Sequence, residues 1–567
     1  MRRAVAAAIA FGIAAAPAAR AAPFRIEEAT LADLQAELAA GRLTSVQLVQ
    51  HYVNRILQLD QGASGVNAVV ELNPDALALA RQADAQRRAG RAAGPLHGIP
   101  FVLKDNIDTG DRMQTTAGSL GLVGAPPLRD STVAAKLRAA GAIILGKTNL
   151  SEWANFRSFF STSGWSGRGG LTHNAYSLDR NACGSSSGSA AAVTANFAAA
   201  GLGTETDGSI VCPANVSGVV GVKPTVGLVS RAGVVPISHV QDTVGPHART
   251  VADAARLLDV IVSRTPDPRD PATAGVPLGW SGTGRTRPAL PRTYTAFLDP
   301  DGLRGAVLGV TRQGIDSAPP QVVAAFDDAL AAIQGAGATL VDLDGAKFVF
   351  PPADGELLVL LFDFRRDVEA YFATRAGVPL AGKALADAIA FNTANAAAEM
   401  PYFGQELFEL ANALEQGEDT AQPIFGMTYD EALAIDAAAG ANGIDAALAS
   451  FGLDAIVAPT DSPAWTTDLV LSDHFIFASS GLAGPAGYPI VQVPAASVLG
   501  LPQGVSFLGT AFSEPTLLRL ASGFEAVTHA RFEPTFTGNV TSAATDGTTL
   551  VRPKKSGQRA PGRPHRL

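Results

Sequence analysis

The stretch Asn181-Ala-Cys-Gly-Ser-Ser-Ser-Gly-Ser-Ala190, followed by Gly203-Thr-Glu-Thr-Asp-Gly-Ser-Ile210, decides how the rest of the chain is read. Between the two runs lies a small, mostly apolar segment, Ala190 to Ala200, with Gly201 closing it. Alanine is the best helix former, and its small side chain lets other backbone approach closely. The pattern predicts a Gly/Ser loop, a buried Ala-rich helix over 190–200 and a second turn bearing hydroxyls. A Gly/Ser run can also be a flexible linker. A linker does not normally open onto a helix that must be buried on most of its sides.

Outward from this stretch, short apolar runs alternate with helical patterns. Thr30 and Thr44 read as helix N-caps, the second completing a capping box with Gln47. Asn73-Pro74 is expected to open a helix that runs to Arg87-Arg88, with the proline at its first position. Phe101 to Leu103 reads as a short apolar strand ending at Lys104, and Ala142 to Leu145 as another following a helix capped by Ser131. Residues 219–225 and 236–246 look loop-rich, with short apolar pieces. Ala306 to Val310, a helix from about Gln321 to Ile333, and Ala338 to Leu343 form a βαβ unit. Helices dominate from Glu356 to Ala449, and strands return at 455–459 and 501–509. The alternation predicts an α/β fold whose sheet is covered on both faces.

Of 567 residues, 47% are apolar and only 17% charged, a balance that suits one large buried interior better than several small modules. The net charge of −9 argues against a nucleic-acid-binding body. Arg2-Arg3, the apolar run Ala4–Ala16 and Ala19-Arg20-Ala21 have the form of a secretory signal, predicting export of a protein starting near Ala22. No later run is long and apolar enough to suggest a membrane span. Residues 541–567 carry Arg552, Lys554, Lys555, Arg559, Arg563 and Arg566 among Pro and Gly, and are expected to lack structure. The two cysteines, Cys183 and Cys212, flank the opening stretch; a bridge between them is open, with free buried thiols the default expectation.

Two nucleophilic readings compete. Gly184-Ser-Ser-Ser-Gly188 satisfies the G-x-S-x-G elbow with Ser186 as nucleophile, but that motif needs an apolar strand just before it. Tyr176 to Cys183 is polar and turn-like, and His474 and His529 lack any supporting motif. The alternative pairs the hydroxyls with Lys104. A serine needs a base to remove its proton, and a lysine with pKa ~10.4 is only ~0.04% neutral at pH 7. Burial lowers a lysine by up to ~3–5 units, which is enough. A lysine snorkelling from a strand end is the plain structural alternative.

These residues resemble the amidase signature family. The resemblance rests on Gly184–Ala190 and Thr204–Ala214, with Gly98–Asn106, Gly221–Thr225, Ala458–Thr460 and Gly487–Pro489 in the same order. It implies one amidase-signature domain over 22–540, an α/β fold with a central mixed sheet covered by helices on both faces. It further implies Ser209 as nucleophile, Ser185 as a bridging serine with a cis peptide bond to its neighbour, and Lys104 as base. The backbone N–H groups of Thr206, Asp207, Gly208 and Ser209 would form an oxyanion hole, with Thr204 orienting Ser185 and Ser186 supporting the loop. No metal and no organic cofactor is implied, and the partner is a small-molecule or peptide amide; oligomeric state is unreadable.

Within the family, Cys183, Ser187 and Asp207 stand where many members have glycine. Together with 236–243, Phe391-Asn392 and 403–405, they resemble bacterial peptide amidases, which release ammonia from the C-terminal amide of peptides. His239 and Asp242 are candidate pocket residues. Non-peptide amides, aryl acylamides and oligoamides are the alternative substrates. The signal-like start and acidic body disfavour a protein that passes ammonia to charged tRNA.

Overall fold

The computed structural model describes residues 24–62, 64–414 and 426–540. The signal-like segment 1–21, the basic tail 541–567 and part of the expected helical region lie outside the described residues.

The chain is built on one eleven-stranded mixed sheet, with a small separate hairpin. In chain order the strands are β1 (Val69–Leu72), β2 (Pro100–Lys104), β3 (Ile143–Thr148), β4 (Trp165–Ser166), β5 (Gly170–Leu171), β6 (Ala200–Glu205) and β7 (Val220–Lys223). They continue with β8 (Thr243–Ala248), β9 (Val307–Val310), β10 (Thr339–Asp342), β11 (Ala455–Pro459), β12 (Ile490–Val498) and β13 (Leu501–Leu508). The main sheet runs β1-β3-β2-β6-β8-β7-β12-β13-β11-β9-β10, and β4 pairs only with β5. β3, β2 and β6 are mutually parallel, as are β11, β9 and β10; the strands between them are antiparallel. Every residue of β2, β3 and β6 is buried, so these strands read as continuous apolar or small runs instead of an alternation. Helices flank the sheet: Pro320–Gly335 and Glu514–Thr528 pack on β12 and β13, and Ser187–Thr194 packs on β2, β3, β6 and β8.

Both N-cap readings hold: Thr30 and Thr44 cap helices through complete capping boxes. The unit β9, helix Pro320–Gly335, β10 is parallel as expected. Four details differ. The Ala-rich helix is shorter, Ser187–Thr194, because Asn196 adopts φ 57° and turns the chain. Ala200 and Gly201 then join the sheet opposite Phe101 and Val102 of β2. The helix after Asn73-Pro74 begins at Ala76, since Asn73 Oδ1 accepts from the N–H of Asp75 at 2.9 Å and forms a turn first. Residues 243–248 are a strand despite Pro246, which pairs with Leu202 of β6 and lies beyond the two β7 pairings at His247 and Ala248. A proline there removes no ladder bond to β7.

The expectation of free thiols is corrected. Cys183 and Cys212 form a disulfide, with Cα atoms 6.0 Å apart across a separation of 29 residues. That spacing is within the range a disulfide spans without backbone movement. The sequence alone could not show it, because the folding of β6 back past the 181–187 loop brings the two cysteines together.

Helix Ser187–Thr194 is buried along its whole length and packs almost backbone to backbone. A Cβ on Gly188 would lie 2.3 Å from the Ala68 carbonyl oxygen and 2.6 Å from that of Asn149. Main chain on both sides leaves no flexible atom to move aside, and overpacking of this kind costs up to ~3 kcal/mol. Gly188→Ala should therefore lower the urea unfolding free energy by about 3 kcal/mol; a change under about 0.5 kcal/mol would contradict this packing.

Candidate active site

Lys104 ends β2 and is fully buried. Its Nζ lies 2.7 Å from Ser185 Oγ, 2.8 Å from Thr204 Oγ1 and 3.2 Å from the Thr204 carbonyl oxygen. Loss of hydration brings its pKa down from 10.5 to about 7, although the Asp242 and Glu205 carboxylates pull in the opposite direction. The amine is thus about half neutral at neutral pH. A neutral amine has two N–H donors and one lone pair. Both Thr204 oxygens can take the donors, which leaves the lone pair facing the Ser185 hydroxyl.

The Ser185 loop is held by its own hydroxyls and by backbone. Cys183 sits at φ 52° and the Gly184–Ser185 peptide is cis. The Ser185 carbonyl accepts from Ser151 N–H at 3.1 Å. Ser186 Oγ donates to the Thr204 carbonyl at 3.0 Å and accepts from Thr204 N–H at 3.2 Å, so it ties the loop to β6. Ser187 Oγ donates to the Cys183 carbonyl. Ser186 and Ser187 therefore shape the loop. Thr204 differs from the expectation: its hydroxyl accepts from Lys104 and from Asn106 Nδ2 at 2.9 Å, so it orients the lysine and not Ser185.

Ser209 follows the end of β6 on a turn that reverses at Gly208, φ 77°. It is almost buried, and its carbonyl accepts from Ser186 N–H at 3.1 Å, which joins the two serine-bearing segments. Among the described residues its hydroxyl has no hydrogen-bond partner. The expected set of four backbone donors is reduced, because Gly208 N–H donates to Glu205 Oε1 at 3.0 Å. The N–H groups of Thr206, Asp207 and Ser209 make no hydrogen bond among the described residues.

Several residues that shape the site were not singled out from sequence. Glu205 Oε2 accepts from Ile210 N–H at 2.7 Å and Val211 N–H at 3.0 Å, fixing the turn after Ser209. Burial raises the Glu205 carboxyl, and buried Lys223 counters that rise. Lys223 Nζ itself donates to the Tyr488 carbonyl at 2.7 Å. Gln241 Nε2 donates to the Thr206 carbonyl at 3.2 Å, and Thr206 Oγ1 donates to Asp242 Oδ1 at 2.6 Å. Asn106, Glu205 and Lys223 all lie inside quoted motifs, so a signal existed for each.

His239 and Asp242 do line a cavity of about 830 Å³, together with Arg231, Asp367 and Tyr371. Lys104, Ser185 and Ser209 are not part of its wall. Burial pulls the His239 imidazole down, but contacts with Asp363 and Asp367 prevail and raise it to about 9. Asn392 and Gln405 are buried and bonded to each other at 3.1 Å. His474 pairs with Asp468 at the surface. Among the described residues, no helix is long and apolar enough to cross a membrane.

Comparison with known proteins shows the family. The pattern of the Amidase family matches residues 47–518. A probable amidase of Arabidopsis thaliana is 39% identical over 527 residues, which cover 90% of this chain and 92% of that protein. Among solved structures, the native peptide amidase from Stenotrophomonas maltophilia is 47% identical, with a TM-score of 0.81 over 91% of this chain and 100% of that one. The peptide amidase PAM in complex with the competitive inhibitor chymostatin gives 0.82 at 47% identity, over 90% and 100% of the two chains. The chain belongs to the amidase signature family and is a hydrolase of carbon–nitrogen amide bonds.

Proposed function

We propose that the protein is an exported serine amidase that removes the C-terminal amide of peptides, with Ser209 as nucleophile, Ser185 as proton relay and Lys104 as base. The observation that carries this reading is the 2.7 Å contact between Ser185 Oγ and a buried lysine whose pKa is about 7. A general base works best with a pKa near the working pH. The 47% identity to peptide amidase structures over nearly the whole chain supports the peptide-amide substrate. The secretory form of residues 1–21 supports export, and the disulfide fits an oxidising compartment.

The reaction runs through these atoms in two halves. Neutral Lys104 Nζ takes the Ser185 proton as Ser185 Oγ takes that of Ser209, since a hydroxyl can donate and accept at once. Ser209 Oγ attacks the amide carbonyl carbon, and the oxyanion is received by the unpaired N–H groups of Thr206, Asp207 and Ser209. The relayed proton returns through Ser185 to the leaving nitrogen, ammonia departs, and an acyl-Ser209 remains. Water, deprotonated along the same path, then releases the free acid and restores Ser209. Contact between the two serine hydroxyls forms with substrate in place, as catalytic hydrogen bonds often tighten only then.

Ammonia release from an amidated dipeptide tests this reading. Ser209→Ala should lower kcat/KM by at least ~10³-fold, the scale on which removal of a catalytic serine acts; equal rates would refute the assignment. For the wild type, kcat/KM should rise with pH through a limb near 7, because only the neutral amine can accept a proton. A rate flat between pH 5 and 8 would contradict Lys104 as base. Glu205→Gln places an NH2 donor against at least one of the N–H groups the carboxylate now receives. It should destabilise by about 1–3 kcal/mol in urea and lower kcat more than it raises KM; an unchanged kcat would show that the Ser209 turn does not depend on it.

A further inference from the structure

We infer that the Cys183–Cys212 disulfide is a positioning brace for amide hydrolysis, holding the Ser185 loop against the Ser209 turn. The inference rests on the proposed roles of those two serines. Cys183 stands two residues before Ser185, and Cys212 three after Ser209. The covalent link therefore joins the two segments at the ends that bear the reacting hydroxyls. Elsewhere at this junction they are held by hydrogen bonds, Ser186 N–H to the Ser209 carbonyl and the two between Ser186 Oγ and Thr204.

Each half-cystine is itself anchored. Cys183 N–H donates to Asn181 Oδ1 at 2.7 Å, and its carbonyl accepts from Ser187 Oγ. Cys212 N–H donates to the Gly208 carbonyl at 2.8 Å in the first turn of helix Val211–Val216. The bridge lies in an apolar cluster with Tyr176, Val216, Ala464, Trp465 and Leu501. A load on either cysteine passes to a serine through two or three residues of main chain. Two thiols cannot sit as close as bonded sulfurs, so opening the bridge pushes both segments apart. A misplacement of about 1 Å at reacting groups can cost ~10²-fold in rate.

The bridge is built to stay closed. Cys183 is 6% exposed and Cys212 4%. The Asp461 carboxyl lies beside both sulfurs and does nothing to stabilise an attacking thiolate. A disulfide serving only to stabilise the chain would affect melting and leave the folded enzyme's turnover intact.

The two roles separate in the Cys183→Ala/Cys212→Ala double variant, assayed on an amidated dipeptide well below its melting temperature. We expect kcat to fall ten- to a hundredfold, with KM within twofold of wild type and an unchanged far-UV circular dichroism spectrum. A folded double variant whose kcat is within twofold of wild type would overturn the brace. Should that variant not fold, wild-type protein reduced by a phosphine in mild denaturant and returned to buffer gives the same comparison. Its kcat should recover on reoxidation with glutathione disulfide, two thiols being oxidised as glutathione disulfide is reduced to two glutathiones. Equal kcat before and after reoxidation would likewise overturn the brace. A wild-type protein inert toward the amidated dipeptide would instead overturn the proposed substrate and leave the brace to be read on any amide that it cleaves.

Discussion

The burial of one amine governs the architecture around it. Placing Lys104 at the end of β2, with no access to water, lowers its pKa from 10.5 to about 7. At 1.36 kcal/mol per unit this represents about 5 kcal/mol of disfavoured charge. The surroundings then determine what the neutral amine can do. Both oxygens of Thr204 lie within reach of its donors, Asn106 fixes the Thr204 hydroxyl, and Ser185 faces the remaining lone pair. The continuously buried strands β3, β2 and β6 supply the dry environment, and β6 also delivers Thr204 itself.

Carboxylates near the amine limit how far the pKa can fall. Asp242 and Glu205 both favour the charged lysine, but each is already engaged: Asp242 with Thr206 Oγ1, Glu205 with the N–H groups around Ser209. Glu205 thus has two effects, raising the Lys104 pKa slightly while shaping the turn that carries Ser209. The charge of buried Lys223 counters the rise that burial gives the Glu205 carboxyl. Nucleophile turn and base are coupled through one carboxylate, so the geometry of one cannot be changed without altering the electrostatics of the other.

Much of this was legible in the chain. The resemblance carried by the Gly/Ser loop, Thr204–Ala214 and Gly98–Asn106 names Lys104, Ser185 and Ser209; the structure sets Lys104 Nζ 2.7 Å from Ser185 Oγ and the Ser209 carbonyl 3.1 Å from Ser186 N–H. The α/β sheet followed from apolar runs alternating with capped helices. What was not legible depended on long-range pairing. Ala200 is good in a helix by local preference, and only its pairing with Phe101 makes it strand. Pro246 reads as a turn until β8 is seen to extend past β7. The disulfide and the hold of Thr204 on Lys104 join residues far apart in sequence, whose proximity no local pattern encodes.

The central claim, that Lys104 is a neutral base at working pH, is tested most directly by titrating its own nitrogen. With 15N-labelled lysine, the Nζ resonance assigned by comparison with Lys104→Met reports the protonation state in an otherwise native protein. A midpoint near 7 is expected. A lysine that stays protonated to pH 9 or above would contradict the account and leave Ser185 and Ser209 without a base.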